Sequence, residues 1–207
     1  MVVPGDFSSL SPTTLADVLG RDRVMDIGIR PLWPDMPRLV GVAYPVRCPA
    51  GDNLMLHATI YRAPAGSVIV VEAGDLDYAV AGGNVCAAAQ RLGIAGFVVD
   101  GVIRDLGEAR SRRFPVFARG VMPIPGAKRS IGEIGTRAIC GGVEIELGDV
   151  VVADEEGVVA VPSAAVERVF DEARLLTDRE AATSLDEWMA THRVRIARAL
   201  SDLGFEE

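Results

Sequence analysis

Apolar and polar residues fall into short blocks through the middle of the chain and switch to a one-turn period at both ends. Near the start, "SPTTLADVLGR" sets Ser and Thr ahead of Leu15, Val18 and Leu19, which predicts a short helix over about 13–20. "RPLWPDMPRL" then carries three prolines, whose fixed φ and missing N–H break regular structure. From Leu39 the blocks "LVGVAYPVRC", "LMLHATIY" and "SVIVVEAG", separated by the turn signals "PAGDN" and "APAG", predict strands. "NVCAAAQRL", closed by Gly93, predicts a helix, and "AGFVVD", closed by Gly101, a strand, together a strand-helix-strand unit. "FPVFARG" reads as a further strand, and "GGVEIELGDVVVADEEGVVAVP" as three, joined by the turns "LGD" and "DEEG". From Ser163, Val166, Val169, Phe170, Ala173 and Leu176 share one helical face with charges opposite. Trp188, His192, Ile196 and Leu200 mark a last helix from about Leu185 to Leu200.

The pattern predicts an α+β chain in a single domain over 1–207: an N-terminal helix at about 13–20, a strand-rich core at about 38–162 and a helical segment at about 163–202. That last segment either covers the core or packs on a neighbouring subunit. The chain is 49% hydrophobic and 24% charged, which is globular composition, and 207 residues suffice for a sizeable core. A net charge of -8 works against attraction to phosphate backbones, so direct nucleic-acid binding is not expected. No basic start precedes an apolar run, and no block reaches the roughly 20 apolar residues of a membrane helix, so the expectation is a cytoplasmic protein with no membrane partner. Cys48, Cys86 and Cys140 are odd in number and lack paired spacing, which suits buried free thiols. Lys128 is the single lysine, set in the loop "MPIPGAKRS", so any Schiff base would have to form there. It reads as a solvated loop lysine, and His57 and His192 as packed or surface residues.

Three features carry chemistry. Gly82, Gly83 and Asn84, followed by Val85, stand at a helix start, where free backbone N–H groups and the positive dipole end hold a carboxylate or phosphate; a tight turn capped by Asn84 is the plainer alternative. Arg104 could grip a substrate carboxylate through two parallel hydrogen bonds, or be a solvated surface charge. Asp105 could give one oxygen to Mg²⁺, which keeps several waters, or form a surface pair with Arg104 or Arg110 worth less than about 1 kcal/mol.

"DNLMLHATI", "GGNVCAAAQRLGIAGFVVDGVIRDLGE", "FPVFARG" and "GGVEIELGDVVVADEEGVVAVP" follow one another as in the family of regulator of ribonuclease activity A and the class II 4-hydroxy-4-methyl-2-oxoglutarate aldolases, which the chain resembles from about Thr13 to Ala182. The resemblance implies a swivelling β/β/α fold, trimers or hexamers, and an active site between subunits. Its signature is a glycine and an acid, twenty intervening residues, Arg-Asp, two residues and an acid. Gly82 fits the glycine, Arg104 and Asp105 the pair, and Glu108 the last acid. Gly83 stands where the first acid belongs, so the side chain that would orient water or assist proton transfer is missing; Glu72, Asp75 or Asp77 are alternative carboxylates. The resemblance also implies that Glu180 reaches a neighbouring subunit's metal shell, with an exposed helical glutamate as the alternative.

The function implied is a lyase dependent on Mg²⁺ or Mn²⁺ that cleaves a short 2-oxo acid to pyruvate, by aldol cleavage or by decarboxylation of oxaloacetate. Asp105 would hold the metal, Arg104 would orient the substrate, and the amides of Gly82, Gly83, Asn84 and Val85 would bind its carboxylate. The alternative is a protein-binding regulator of a ribonuclease, in which acidic residues such as Asp154, Glu155 and Glu156 would matter and Asp105 would not. A methyltransferase reading finds no strand followed by a Gly-rich nucleotide loop.

Overall fold

A computed structural model describes residues 6–205. Helix α1 (Pro12–Leu19) opens with Ser11 accepting the Thr14 N–H and Pro12 in its first turn. Strand β1 (Arg30–Pro31) precedes the centre of the fold, β2 (Leu39–Arg47), α2 (Leu54–Thr59), β3 (Ser67–Glu72), α3 (Gly83–Arg91), β4 (Gly96–Ile103), α4 (Leu106–Ser111) and β5 (Val116–Val121). Strands β2, β3, β4 and β5 pair in parallel in that order, each joined to the next through a helix. Then come β6 (Glu133–Ile134), β7 (Arg137–Cys140), β8 (Val143–Glu146), β9 (Val150–Asp154), β10 (Gly157–Val161), α5 (Val166–Ala182) and α6 (Leu185–Asp202).

Antiparallel strands extend the parallel centre at both edges, β1 on β5 and β9 with β10 on β2, while β6 adds to the end of β2, giving an eight-stranded sheet. Val24 bridges Val159 of β10, so the stretch before β1 draws the two edges together into a nearly closed, strand-rich core. The central strands are apolar on both faces because both are covered. Ile69, Val71, Phe97, Val99 and Ile103 pack under Leu56, Cys86 and Ala89 of the helices. Val68, Val70 and Val98 face the opposite way, against Cys140, Val143 and Ile145 of the β7–β8 hairpin. Leu15 of α1 and Val169 and Ala173 of α5 cover the outer face of β9 and β10.

This is a mixed α/β fold with a strand-rich core and C-terminal helices, as expected, but three local readings are corrected. "LMLHATIY" contains α2 rather than a strand: Met55, Leu56, Thr59 and Ile60 recur one turn apart on the buried side, and Asp52 accepts the Leu54 N–H at 2.8 Å. Gly101 does not close its strand, since β4 runs on to Ile103 through a register shift against β5. Arg137–Cys140, β7, was not anticipated as a strand.

Candidate active site

The stretch before α3 lies along the end of β4. Val80 N–H donates to Val102 O at 3.0 Å and Arg104 N–H to Ala81 O at 2.9 Å, so Gly82 and Gly83 are held beside Arg104 and Asp105. This is the carboxyl edge of the parallel strands, where open α/β sheets place their ligands. Asp105, two residues past the end of β4 and at the start of α4, takes the left-handed region, φ 55° and ψ 41°, which a short polar side chain tolerates better than most. Its Oδ2 accepts the Gly83 N–H at 3.1 Å and therefore sits on the positive end of α3. The next two N–H groups, of Asn84 and Val85, precede the first bond of the helix, from Cys86 to Gly82 O.

Arg104 Nε stands 3.5 Å from Asp105 Oδ2, with both side chains about two-fifths exposed (42% and 40%). So loose and solvated a pair adds little stability. Among the described residues Arg104 makes no other ion pair, which leaves its outer nitrogens for a ligand.

The glycines explain how closely these groups approach. A methyl on Gly82 would lie 2.6 Å from Asp105 Oδ2 and 3.1 Å from Arg104 Nε. A methyl on Gly83 would overlap the Glu108 carboxylate and come within 2.8 Å of Glu108 Cβ. The volume into which an acid at position 83 would project is thus filled by the carboxylate of Glu108, one turn into α4.

Gly82, Asn84, Val85, Arg104 and Asp105 line one cleft of about 230 Å³. Gly83 is buried behind it, and Glu108 abuts Gly83. The other wall holds residues whose place here was not read from the sequence: Asn53, His57 and Lys128. Lys128 is an exposed loop residue, as expected, but its loop stands at the cleft. Burial, seconded by the charge of Lys128, lowers the His57 titration below its ordinary value of 6.5. Asn53 is 3% exposed; its Nδ2 donates to Gly126 O at 3.1 Å while its Oδ1 finds no partner. Burial pushes the thiol of Cys86, on the buried face of α3, up to about 12, which disfavours the nucleophilic thiolate.

The alternative carboxylates are engaged elsewhere. Glu72 pairs with Arg47 Nε at 3.3 Å and accepts the Ile139 N–H, and Asp75 accepts the N–H groups of Gly51, Asp77 and Tyr78. Asp77 does not line the cleft, and Glu180 is exposed near the end of α5, also away from it. Among the described residues no three His, Cys, Asp or Glu side chains converge as a metal cage. The donors at the cleft, one carboxylate with a second behind it, suit a hard cation that keeps its waters and takes the rest of its ligands from substrate.

The RraA-like family model, described as Aldolase/RraA, matches residues 12–160, nearly three quarters of the chain. The chain belongs to the Aldolase/RraA family. A Halalkalibacterium halodurans protein, provisionally named a 4-hydroxy-4-methyl-2-oxoglutarate aldolase, is 39% identical over 81% of this chain and 80% of its own. An uncharacterized Pseudomonas syringae protein of known structure superposes with a TM-score of 0.77 at 29% identity, over 89% of this chain and 91% of its own. Streptomyces coelicolor RraAS2, titled an unusual member of the RNase ES inhibitor RraA protein family, superposes at 0.71 with 28% identity, over 83% and 90%. The Aldolase/RraA match stops at 160, so α5 and α6 lie outside the part this family model describes.

Proposed function

We propose that this chain is a divalent-metal-dependent carbon-carbon lyase acting on short 2-oxo acids, with pyruvate as product. The observation that carries the reading is the grouping, at one sheet edge, of a loosely paired arginine, a carboxylate on a helix N-terminus and a second carboxylate in the space beside Gly83. The relative ascribed to 4-hydroxy-4-methyl-2-oxoglutarate cleavage supports the substrate class.

Asp105 would hold Mg²⁺ or Mn²⁺, with Glu108 behind it. A cation held there supplies positive charge to the enolate oxygen that develops as the bond breaks. The chain's own groups do the rest. Arg104 pairs with the carboxylate next to the keto group, whose other oxygen takes the N–H groups of Asn84 and Val85. Lys128 offers a second cation to a distal carboxylate, so the cleft favours 2-oxo diacids over monoacids. In aldol cleavage the Glu108 carboxylate, standing behind the cleft, accepts the proton of the C4 hydroxyl through an intervening water as the C3–C4 bond opens, and returns it by the same water to C3 of the enolate. In this reading Glu108 replaces the acid missing at Gly83.

A homo-oligomer, trimer or hexamer, would complete the site, with Glu180 of one copy approaching its neighbour's metal shell. The absence of any buried residue in α6 supports that assembly. The reading is tested by pyruvate release from 4-hydroxy-4-methyl-2-oxoglutarate and from oxaloacetate; no release above the metal-only background from either would refute it. The likeness to RraAS2 favours one alternative, a non-catalytic regulator that binds a ribonuclease by its protein surface. That alternative requires capture of the ribonuclease to survive loss of Asp105 and to fail when Asp154, Glu155 and Glu156 are neutralised.

A further inference from the structure

The segment from Met122 to Ser130 carries Lys128 to the cleft without any helix of its own. Its backbone is fixed by the corner at 51–53. Ala127 N–H donates to Gly51 O at 2.7 Å, and Asn53 N–H returns a bond to Ala127 O at 2.8 Å. On the far side of Lys128, the N–H groups of Arg129 and Ser130 both donate to Asp52 Oδ2, at 2.6 and 3.0 Å. The other oxygen of Asp52 accepts the Leu54 N–H at 2.8 Å, at the start of α2.

Asp52 is 3% exposed and makes no ion pair among the described residues, so its charge is satisfied by three backbone N–H groups. Those N–H groups belong to the two segments that build one wall of the cleft. One carries Lys128, and the other carries Asn53 and His57. A carboxylate is suited to this link, because one oxygen serves the helix start while the other serves two N–H groups of the loop.

We propose that Asp52 is a positioning residue: it ties the lysine loop to the start of α2 and so keeps Lys128 in the cleft with Arg104. Asp52 itself touches no substrate; it acts through Lys128. Gly126 shows how close the joint is, since a methyl there would lie 3.3 Å from each of Asn53 N, Asp52 C and Gly51 O. The kinetic part of this proposal rests on the lyase reading, whereas the placement of Lys128 does not.

The test uses the full chain and its single lysine. Pulse acetylation with acetic anhydride is read by peptide mass analysis, with the α-amino group as internal reference. In Asp52→Asn, where one oxygen becomes a donor, the ratio of Lys128 to α-amine labelling is expected to rise several-fold. For oxaloacetate, KM is expected to rise several-fold more than kcat falls, and Asp52→Asn is expected to add nothing further in a Lys128→Met background. An unchanged labelling ratio, or kinetic effects that add independently, would overturn the proposal. If Asp52→Asn does not fold, Gly126→Ala wedges the same joint and is read in the same two ways. Should wild-type protein release no pyruvate, the lyase reading fails while the labelling ratio still decides where Asp52 acts.

Discussion

Asp105 takes a backbone conformation that most residues avoid, and the gain is a carboxylate turned back onto the first N–H of α3. That placement depends on the bare backbone at Gly82. Gly82→Ala is expected to lower kcat/KM at least about tenfold while the melting temperature moves little, because the added methyl meets Asp105 and Arg104 rather than the core. Steady-state kinetics beside a thermal melt would check it. Glu108→Gln is expected to cost about 10²-fold or more in kcat, the scale of a lost general base. Gly83→Asp alone should be impaired by its clash with Glu108, and Gly83→Asp with Glu108→Ala should recover activity relative to either change alone. No recovery would mean that Glu108 does not stand in for the missing acid. At this scale Gly82, Arg104 and Asp105 were legible because the signature fixes their spacing along the chain. The approach of the Glu108 carboxylate to Gly83 was not, because it depends on where α4 sends a side chain after a left-handed residue. Lys128 reads from the sequence as a solvated loop lysine and His57 as a packed or surface residue, and only the packing of the loop from Met122 to Ser130 against α2 brings them to the cleft.

The strand-helix-strand unit around α3 was readable because its small apolar residues keep a helical period between two β-branched runs. α2 was misread because its apolar run is short, and a short apolar run fits strand and helix alike until the bond from the Leu54 N–H to Asp52 is seen. β7 escaped because only Ala138 and Cys140 of its four residues are buried, too short an alternation to stand out. At the other end, α6 has a full capping box between Ser184 and Glu187 and a stack of Trp188 on His192, yet buries no residue. Truncation after Thr183 is therefore expected to leave the melting temperature of the isolated subunit nearly unchanged and to reduce the assembled mass. Light scattering beside thermal melts would decide; an unchanged mass would assign α6 no part in assembly.

Across the whole molecule, several groups make stability depend on pH in the same direction. Burial alone would raise the Asp52 carboxyl, but the N–H groups of Arg129, Leu54 and Ser130 outweigh it and hold the value below 3.8. The Gly28 N–H and Arg119 do the same for Asp26. These carboxylates stabilise the fold fully above the unfolded value near 4, and that contribution is lost as pH falls through their lowered values. Partial burial, with the charge of Lys128, lowers the His57 titration, so its contribution is complete above about 6.5 and is lost as pH falls below that. The melting temperature should accordingly be flat only between about pH 7 and about 8.5. Below that window it declines in two stages, the upper one abolished in His57→Asn. Above it the melting temperature declines again, as thiols ionise in the unfolded chain while Cys48, Cys86 and Cys140 resist ionisation in the fold. A profile that rises on acidification below that window would contradict this. The three cysteines are buried, with Cys48 pushed up to about 11, so Ellman's reagent should find no thiol until the chain unfolds.

The central claim is that Asp105 serves chemistry rather than a surface ion pair. The most direct measurement is pyruvate release from oxaloacetate by wild type and Asp105→Ala, each with Mg²⁺ and with chelator. Wild type is expected to release pyruvate with Mg²⁺, Asp105→Ala to fall to the background of metal without protein, and chelator to abolish the release, while the fold is kept. Release by Asp105→Ala equal to wild type, or release by wild type that survives chelator, would contradict it.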